Sequence, residues 1–184
     1  MAEYYLISQL PSLDGGSEGT PIPITEERFE ELCEEFLGKK ALNEFHKLTL
    51  SPSRTPLKSN SSLIESWNEG EINLRLALGK ARAAKLNKPF DTENKILPAE
   101  LIKVTSTATE FESPLEAENY LANYRLNFLE SLRPMDNFSE DFIFYYGLKL
   151  KLILRKRLFD KKIGEDAYRN IYDSILNGDR LEAM

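Results

Sequence analysis

One stretch of the chain spells a nucleophile motif: Gly15-Gly16-Ser17-Glu18-Gly19 matches G-x-S-x-G. That pattern makes a reactive serine when a strand delivers it to a strained turn and a helix follows at once. Here Pro21-Ile22-Pro23 follows, so no helix starts on cue, and no parallel-sheet pattern surrounds it. A glycine loop accounts for it better. His46 is the only imidazole available as a general base or metal ligand. Asn43 stands three residues before it, so the Glu-x-x-His pattern of carboxylate-bridged di-metal bundles is absent. One histidine and one cysteine, Cys33, do not make a zinc site within a single chain. Gly79-Lys80 lacks the earlier glycine of a phosphate-binding loop, and Ala81 replaces the hydroxyl residue that would bind magnesium.

Two charged groups remain. Glu26, Glu27, Glu30, Glu31, Glu34 and Glu35 form carboxylate doublets, and a solvated helix face explains them without acid/base chemistry. Residues 100–146 hold nine acids against three bases, whereas residues 147–163 hold seven bases against Asp160. The cations Lys149, Lys151, Arg155, Lys156 and Arg157 fall on two edges of one helix, a poor fit to a nucleic-acid groove. Two readings stay open: cations flanking a buried helix and paired with the acidic helix before it, or a docking surface for an acidic protein partner. Catalytic, cofactor-binding and metal-binding residues are all expected to be none.

The elements that must position these residues are helical. Thr25 is an N-cap, and Phe29, Leu32, Cys33, Phe36 and Leu37 follow at helical spacing. A short helix over 40–48 turns Leu42, Phe45 and Leu48 inward. Residues 49–62 are a linker by composition. A long helix over 62–86 carries Leu63, Trp67, Gly70, Leu74, Leu78 and Ala81 on its stripe. Residues 87–113, with two prolines and the run VTSTAT, are expected to be irregular, with at most a short helix or hairpin. Ser113-Pro114-Leu115-Glu116 is a strong helix start, and that helix carries Leu121, Arg125, Phe128 and Leu132 on one line. A helix from about 139 is apolar on more than one face. A last one spans about 164–177, with Tyr168, Ile171, Tyr172, Ile175 and Leu176 inward and Gly178 as its stop. Short connections make these last three antiparallel neighbours.

Net charge is -6, which repels nucleic acid. No stretch approaches the roughly 18 to 20 apolar residues of a membrane span. The apolar run 4–10 is too short for a signal peptide, and a lone cysteine makes no internal disulfide. The expectation is an all-α, single domain over 1–184, about six helices in an irregular antiparallel bundle, in the cytoplasm. LRLALGKARA at 74–83 echoes LKLILRKRLF at 150–159, with leucine at three shared positions.

The opening Tyr4-Tyr5-Leu6-Ile7-Ser8-Gln9-Leu10-Pro11-Ser12-Leu13 resembles the start of an uncharacterised bacterial family of short helical proteins, known as a domain of unknown function. The resemblance extends to the Pro-rich step, the Glu/Leu-rich helix and the basic C-terminal helices. Genes of that family lie among those for V-type ATPase subunits, so the resemblance implies an ATPase-associated subunit. Glu69-Gly70-Glu71-Ile72-Asn73-Leu74-Arg75 and the echo are similar to repeats of the central-stalk C (d-type) subunit, which couples the soluble motor to the membrane rotor. That subunit has three repeats in a longer chain, and at most two can be argued here. The resemblance implies a non-catalytic subunit or assembly factor, peripheral at the inner face of the cell membrane. Tyr4, Tyr5 and the basic helix 147–162 would then contact partner subunits. The alternatives are a stand-alone helical scaffold, homo-oligomeric in solution, and an enzyme whose pocket gathers His46, a carboxylate and a tyrosine.

Overall fold

The computed structural model describes residues 2–13, 22–92, 95–158, 164, 168–169 and 171–172. Among them there are helices and no strands. The helices are α1 (Ala2–Gln9), α2 (Glu26–Phe36), α3 (Lys39–Phe45), α4 (Ser62–Lys85), α5 (Ala99–Glu110), α6 (Pro114–Ser131) and α7 (Glu140–Arg157). The fold is all-α, as the apolar periodicity predicts. The chain divides into two compact units, residues 1–152 and 153–184. No helix among the described residues is long and apolar enough to cross a membrane.

The helix starts follow from local chemistry. Thr25 accepts the Arg28 N–H at 3.2 Å and opens α2. Ser113 accepts the Glu116 N–H at 3.4 Å, with Pro114 in the first turn of α6. Each cap satisfies one of the four N–H groups that a helix start leaves unpaired. Ser61 does the same for α4 through Ile64, at 3.3 Å. Its hydroxyl also donates to Asp141 at 2.6 Å, so one side chain ties the start of α4 to the start of α7.

Helices α4 and α7 bury the most residues. Both carry Leu-basic-Leu-x-Leu, at 74–78 and 150–154. Leucines at i and i+4 share a face, and the one at i+2 points the opposite way, so such a helix buries two opposite sides. Leu74, Leu76, Leu78, Leu150 and Leu152 are buried accordingly. The echo between the two segments thus has a packing cause: each is a helix with neighbours on both sides.

Two elements depart from the sequence reading. Residues 99–110 form a full helix where irregular chain is expected. Leu101, Val104, Thr105 and Ala108 make a buried stripe at i, i+3, i+4 and i+7. Burial of that stripe outweighs the low helix propensity of the VTSTAT run. The Thr105 and Thr109 hydroxyls fold back onto the carbonyls of Leu101 and Ser106, both at 2.8 Å. The second is α1, which the sequence reading leaves without a helix. Eight residues are too few to be stable alone. Fully buried Leu6 anchors it, a contribution of about 1.5–3 kcal/mol.

The segment 49–61 is a linker by composition, yet it is held down. The Trp67 indole N–H donates to the Thr49 carbonyl at 2.9 Å, and Arg75 donates to the Pro52 carbonyl at 3.0 Å. Buried Glu44 accepts from the Ser59 hydroxyl at 2.6 Å, the Asn60 side-chain amide at 3.2 Å and the Lys47 ammonium at 2.8 Å. The Lys47 and Ser59 hydrogen bonds hold its carboxyl below the ordinary carboxylate range. The expected terminal helix over 164–177 lies largely outside the described residues; Tyr168, Ile171 and Tyr172, expected inward from their spacing, are instead exposed, and the two tyrosine rings stack on each other at 6.1 Å.

Candidate functional site

The G-x-S-x-G stretch at 15–19 lies outside the described residues. His46 is exposed at the C-terminal end of α3, with its ring edge-on to Phe45 at 5.8 Å. Cys33 is fully buried on the inward face of α2, and burial, with the Glu30 carboxylate adding to it, pushes its thiol up to about 12. A thiol so placed stays protonated and is a poor nucleophile. Among the described residues, no group of three or more His, Cys, Asp or Glu side chains could hold a metal ion.

The basic residues singled out by spacing have definite positions. Lys149 donates to Glu130 of α6 at 2.7 Å and lies 5.7 Å from the centre of the Tyr145 ring. The Tyr145 hydroxyl donates to the same carboxylate at 2.6 Å. Burial, then that hydrogen bond to Glu130, pushes the phenol up to about 12. Lys151 pairs with Glu26 and lies 3.8 Å from Glu30, both on the acidic face of α2. The carboxylate doublets thus serve in part as counter-ions for α7. In the second unit, Arg155, Lys156 and Arg157 are half-buried, and none of the three is without a partner.

Tyr4 and Tyr5 are 55% and 59% exposed. Tyr4 stacks on Phe138 at 5.0 Å, and Tyr5 meets Phe36 at 5.1 Å. Phe138 itself is 48% exposed, so the patch is aromatic and open. The segment beneath it is fixed, because the Tyr146 hydroxyl donates to the Pro11 carbonyl at 2.8 Å.

Two features were not identified from the sequence. The first is an interior ion cluster. Glu71 on α4 accepts from Arg125 on α6 at 2.9 and 3.0 Å, with Arg75 at 3.4 Å from the same carboxylate. Arg125 Nη1 and Asn68 Oδ1 are buried without a hydrogen-bond partner. Arg125 stands on the inward line read from the sequence, which was the available signal; Glu71 follows the Gly70 of the same stripe. The second is a groove of about 440 Å³ between α4 and α5, floored by Ala77, Ala81 and Ala84 and walled by Ile102, Thr105 and Thr109. Lys85 donates to the Thr109 carbonyl, so the C-terminal turns of α4 and α5 lie together. The connector between them runs back past Gly79, on which the Phe90 ring sits.

What these positions define is a helical chain in which Glu71, Lys149 and Lys151 are paired across helices, with aromatic surface left open at Tyr4 and Tyr5. Residues 90–179 match the family model described as "Protein of unknown function (DUF2764)". The match begins at Phe90 and takes in α5, α6 and α7; α4 lies outside it. No curated protein and no solved structure matches the chain.

Proposed function

We propose that the protein is a non-catalytic binding subunit or assembly factor of a V-type ATPase, engaging its partners through the Tyr4/Tyr5 surface. The observation that carries the reading is the state of the N-terminal motif. Leu6 is fully buried while Tyr4 and Tyr5, the two residues just before it in the same helix, are more than half exposed. Large, stiff aromatics held in place on a pinned helix are the side chains that dominate protein–protein interfaces. The same motif, with Glu69–Arg75, carries the resemblance to ATPase-associated proteins, and that resemblance is the support for the named complex.

The structure also changes how the reading is tested. Reversing Lys149 and Lys151 to glutamate would set like charges against Glu130 and Glu26, so such a variant would report on folding as much as on docking. Tyr4→Ser and Tyr5→Ser remove exposed surface instead. Affinity purification of the tagged full chain from its host, with mass spectrometry, should recover V-type ATPase subunits, and the double tyrosine variant should lose them. Recovery of no ATPase subunit with the wild-type chain would sink the proposal. Undiminished recovery with the variant would remove the tyrosine surface from it.

A further inference from the structure

We infer that the groove between α4 and α5 is a docking site for an acidic amphipathic helix of another protein. The inference rests on the protein's being a binding module, and not on which complex it joins.

The groove is apolar in its chemistry although three hydroxyl residues line it. Thr105 and Thr109 give their hydroxyls to carbonyls of their own helix, and Ser106 gives its own to Glu110 at 3.3 Å. Their donors are engaged, so a small polar ligand would find few groups to meet. Ala77, Ala81 and Ala84 fall at i, i+4 and i+7, a single helix face with no long side chain. At about 1.5 Å per residue that floor is about 10 Å long, or two turns of a helix. Small residues let a second helix approach closely, with its bulky side chains supplying the contact. Ile102 on the wall is 48% exposed, so the groove keeps apolar surface uncovered.

Charge identifies the occupant. From 80 to 88 the chain carries Lys80, Arg82, Lys85 and Lys88 and no acidic residue, in a protein whose net charge is -6. All four are exposed, and Lys80 and Lys85 line the groove itself. Lys85 sits at the end of α4, where a cation complements the helix dipole; Lys80 lies more than a turn earlier and has no such role. Lys103, next to Ile102 in α5, is exposed beside the lining residues, among which Glu110 is the one acid. A helix that seats leucine-like side chains on the alanines and turns carboxylates to this rim meets both requirements. The chain's own acidic amphipathic helix, α2, cannot be that helix in a second copy. Its apolar residues Phe29, Leu32 and Cys33 are already buried in its own fold.

The test uses the full chain and fluorescence anisotropy. The probes are two labelled peptides of about 20 residues with leucine at helical a/d spacing, one with glutamate and alanine elsewhere and one with lysine and alanine. The glutamate peptide should bind saturably, and the lysine peptide about tenfold more weakly or worse. Ile102→Asp should abolish binding while leaving the circular-dichroism melt unchanged, because the site is exposed. Lys80→Glu with Lys103→Glu should weaken it several-fold and flatten its salt dependence. Absent saturation, equal affinity for both peptides, or binding indifferent to Ile102→Asp would each overturn the inference. So would concentration-dependent self-association of the free chain that Ile102→Asp removes, which would make the occupant a second copy. Since no ATPase subunit enters this assay, its failure leaves the co-purification result to stand or fall by itself.

Discussion

Glu71 and Arg125 meet through two parallel hydrogen bonds, Nε to Oε2 at 2.9 Å and Nη2 to Oε1 at 3.0 Å, across 54 residues of sequence. Both side chains are buried, so the pair joins α4 to α6 in a medium that does not forgive a lone charge. Removing one partner should cost about 3–5 kcal/mol. The two removals are not equivalent. Glu71 would keep Arg75 at 3.4 Å, whereas Arg125 would keep only Glu118 at 3.9 Å, with Nη1 already lacking a hydrogen bond. Urea unfolding should therefore place Glu71→Leu below Arg125→Leu in stability, with the double variant above the sum of the two losses. The reverse order would show that Arg75 does not compensate.

Two carboxylates should drive opposite pH responses. Glu44 has a folded-state pKa held below its ordinary value by Lys47 and Ser59. Its contribution is therefore complete above the unfolded-state pKa, about 4.5, and is lost as the pH falls through the lower folded value. Glu140 is raised, by burial first and then by Glu3 and Asp141. It works against the fold once ionised, and protonation at low pH relieves that. Glu44→Gln should lower the melting temperature at pH 7 and flatten acid unfolding below about pH 4.5. Glu140→Gln should raise the melting temperature at pH 7 and change little at pH 4. Parallel shifts of both variants at both pH values would contradict this account.

Cys33 should report unfolding instead of reactivity. Its thiol is pushed up to about 12 and has no exposed surface. At pH 8 the native protein should resist a thiol reagent, and labelling should appear at the urea concentration at which helical circular dichroism is lost. Rapid labelling of native protein, at a rate independent of urea, would mean that α2 opens locally.

What could be read from the sequence was local. Thr25, Ser113 and the spacing of Phe29, Leu32 and Cys33 act within one or two turns, and the structure uses them as the sequence implies. The stripe Leu63, Trp67, Leu74 and Leu78 is buried for the same reason. The buried stripe of α5 was present as well, but its threonines and the flanking prolines point to irregular chain when judged by propensity. Contacts over long separations left less trace. Nothing near Ser61 indicates Asp141, and nothing near Lys151 indicates Glu26. The groove is hidden for a different cause: its alanines read as good helix formers, and only the position of α5 leaves them uncovered.

At Gly70 of α4 the Phe128 ring of α6 lies against the backbone, and the missing side chain is a packing requirement. A Cβ there would fall 2.3 Å from Phe128 Cε1 and 2.4 Å from Cζ. The Phe128 ring has little room to retreat, because it stacks on Trp67 at 6.2 Å. Trp67 is fully buried and fixed by its hydrogen bond to Thr49. Alanine favours an exposed helix interior over glycine by about 1 kcal/mol, which would make Gly70→Ala stabilising if backbone preference decided the matter. Forcing a methyl group into a packed contact costs about 1–3 kcal/mol, so the clash should win and the melting temperature should fall. The assignment of cause is checked by Phe128→Leu in the Gly70→Ala background. If the ring is the obstacle, the double variant should lose less than the two single losses combined. Simple additivity, or a Gly70→Ala protein more stable than the wild type, would place the constraint elsewhere than at this contact.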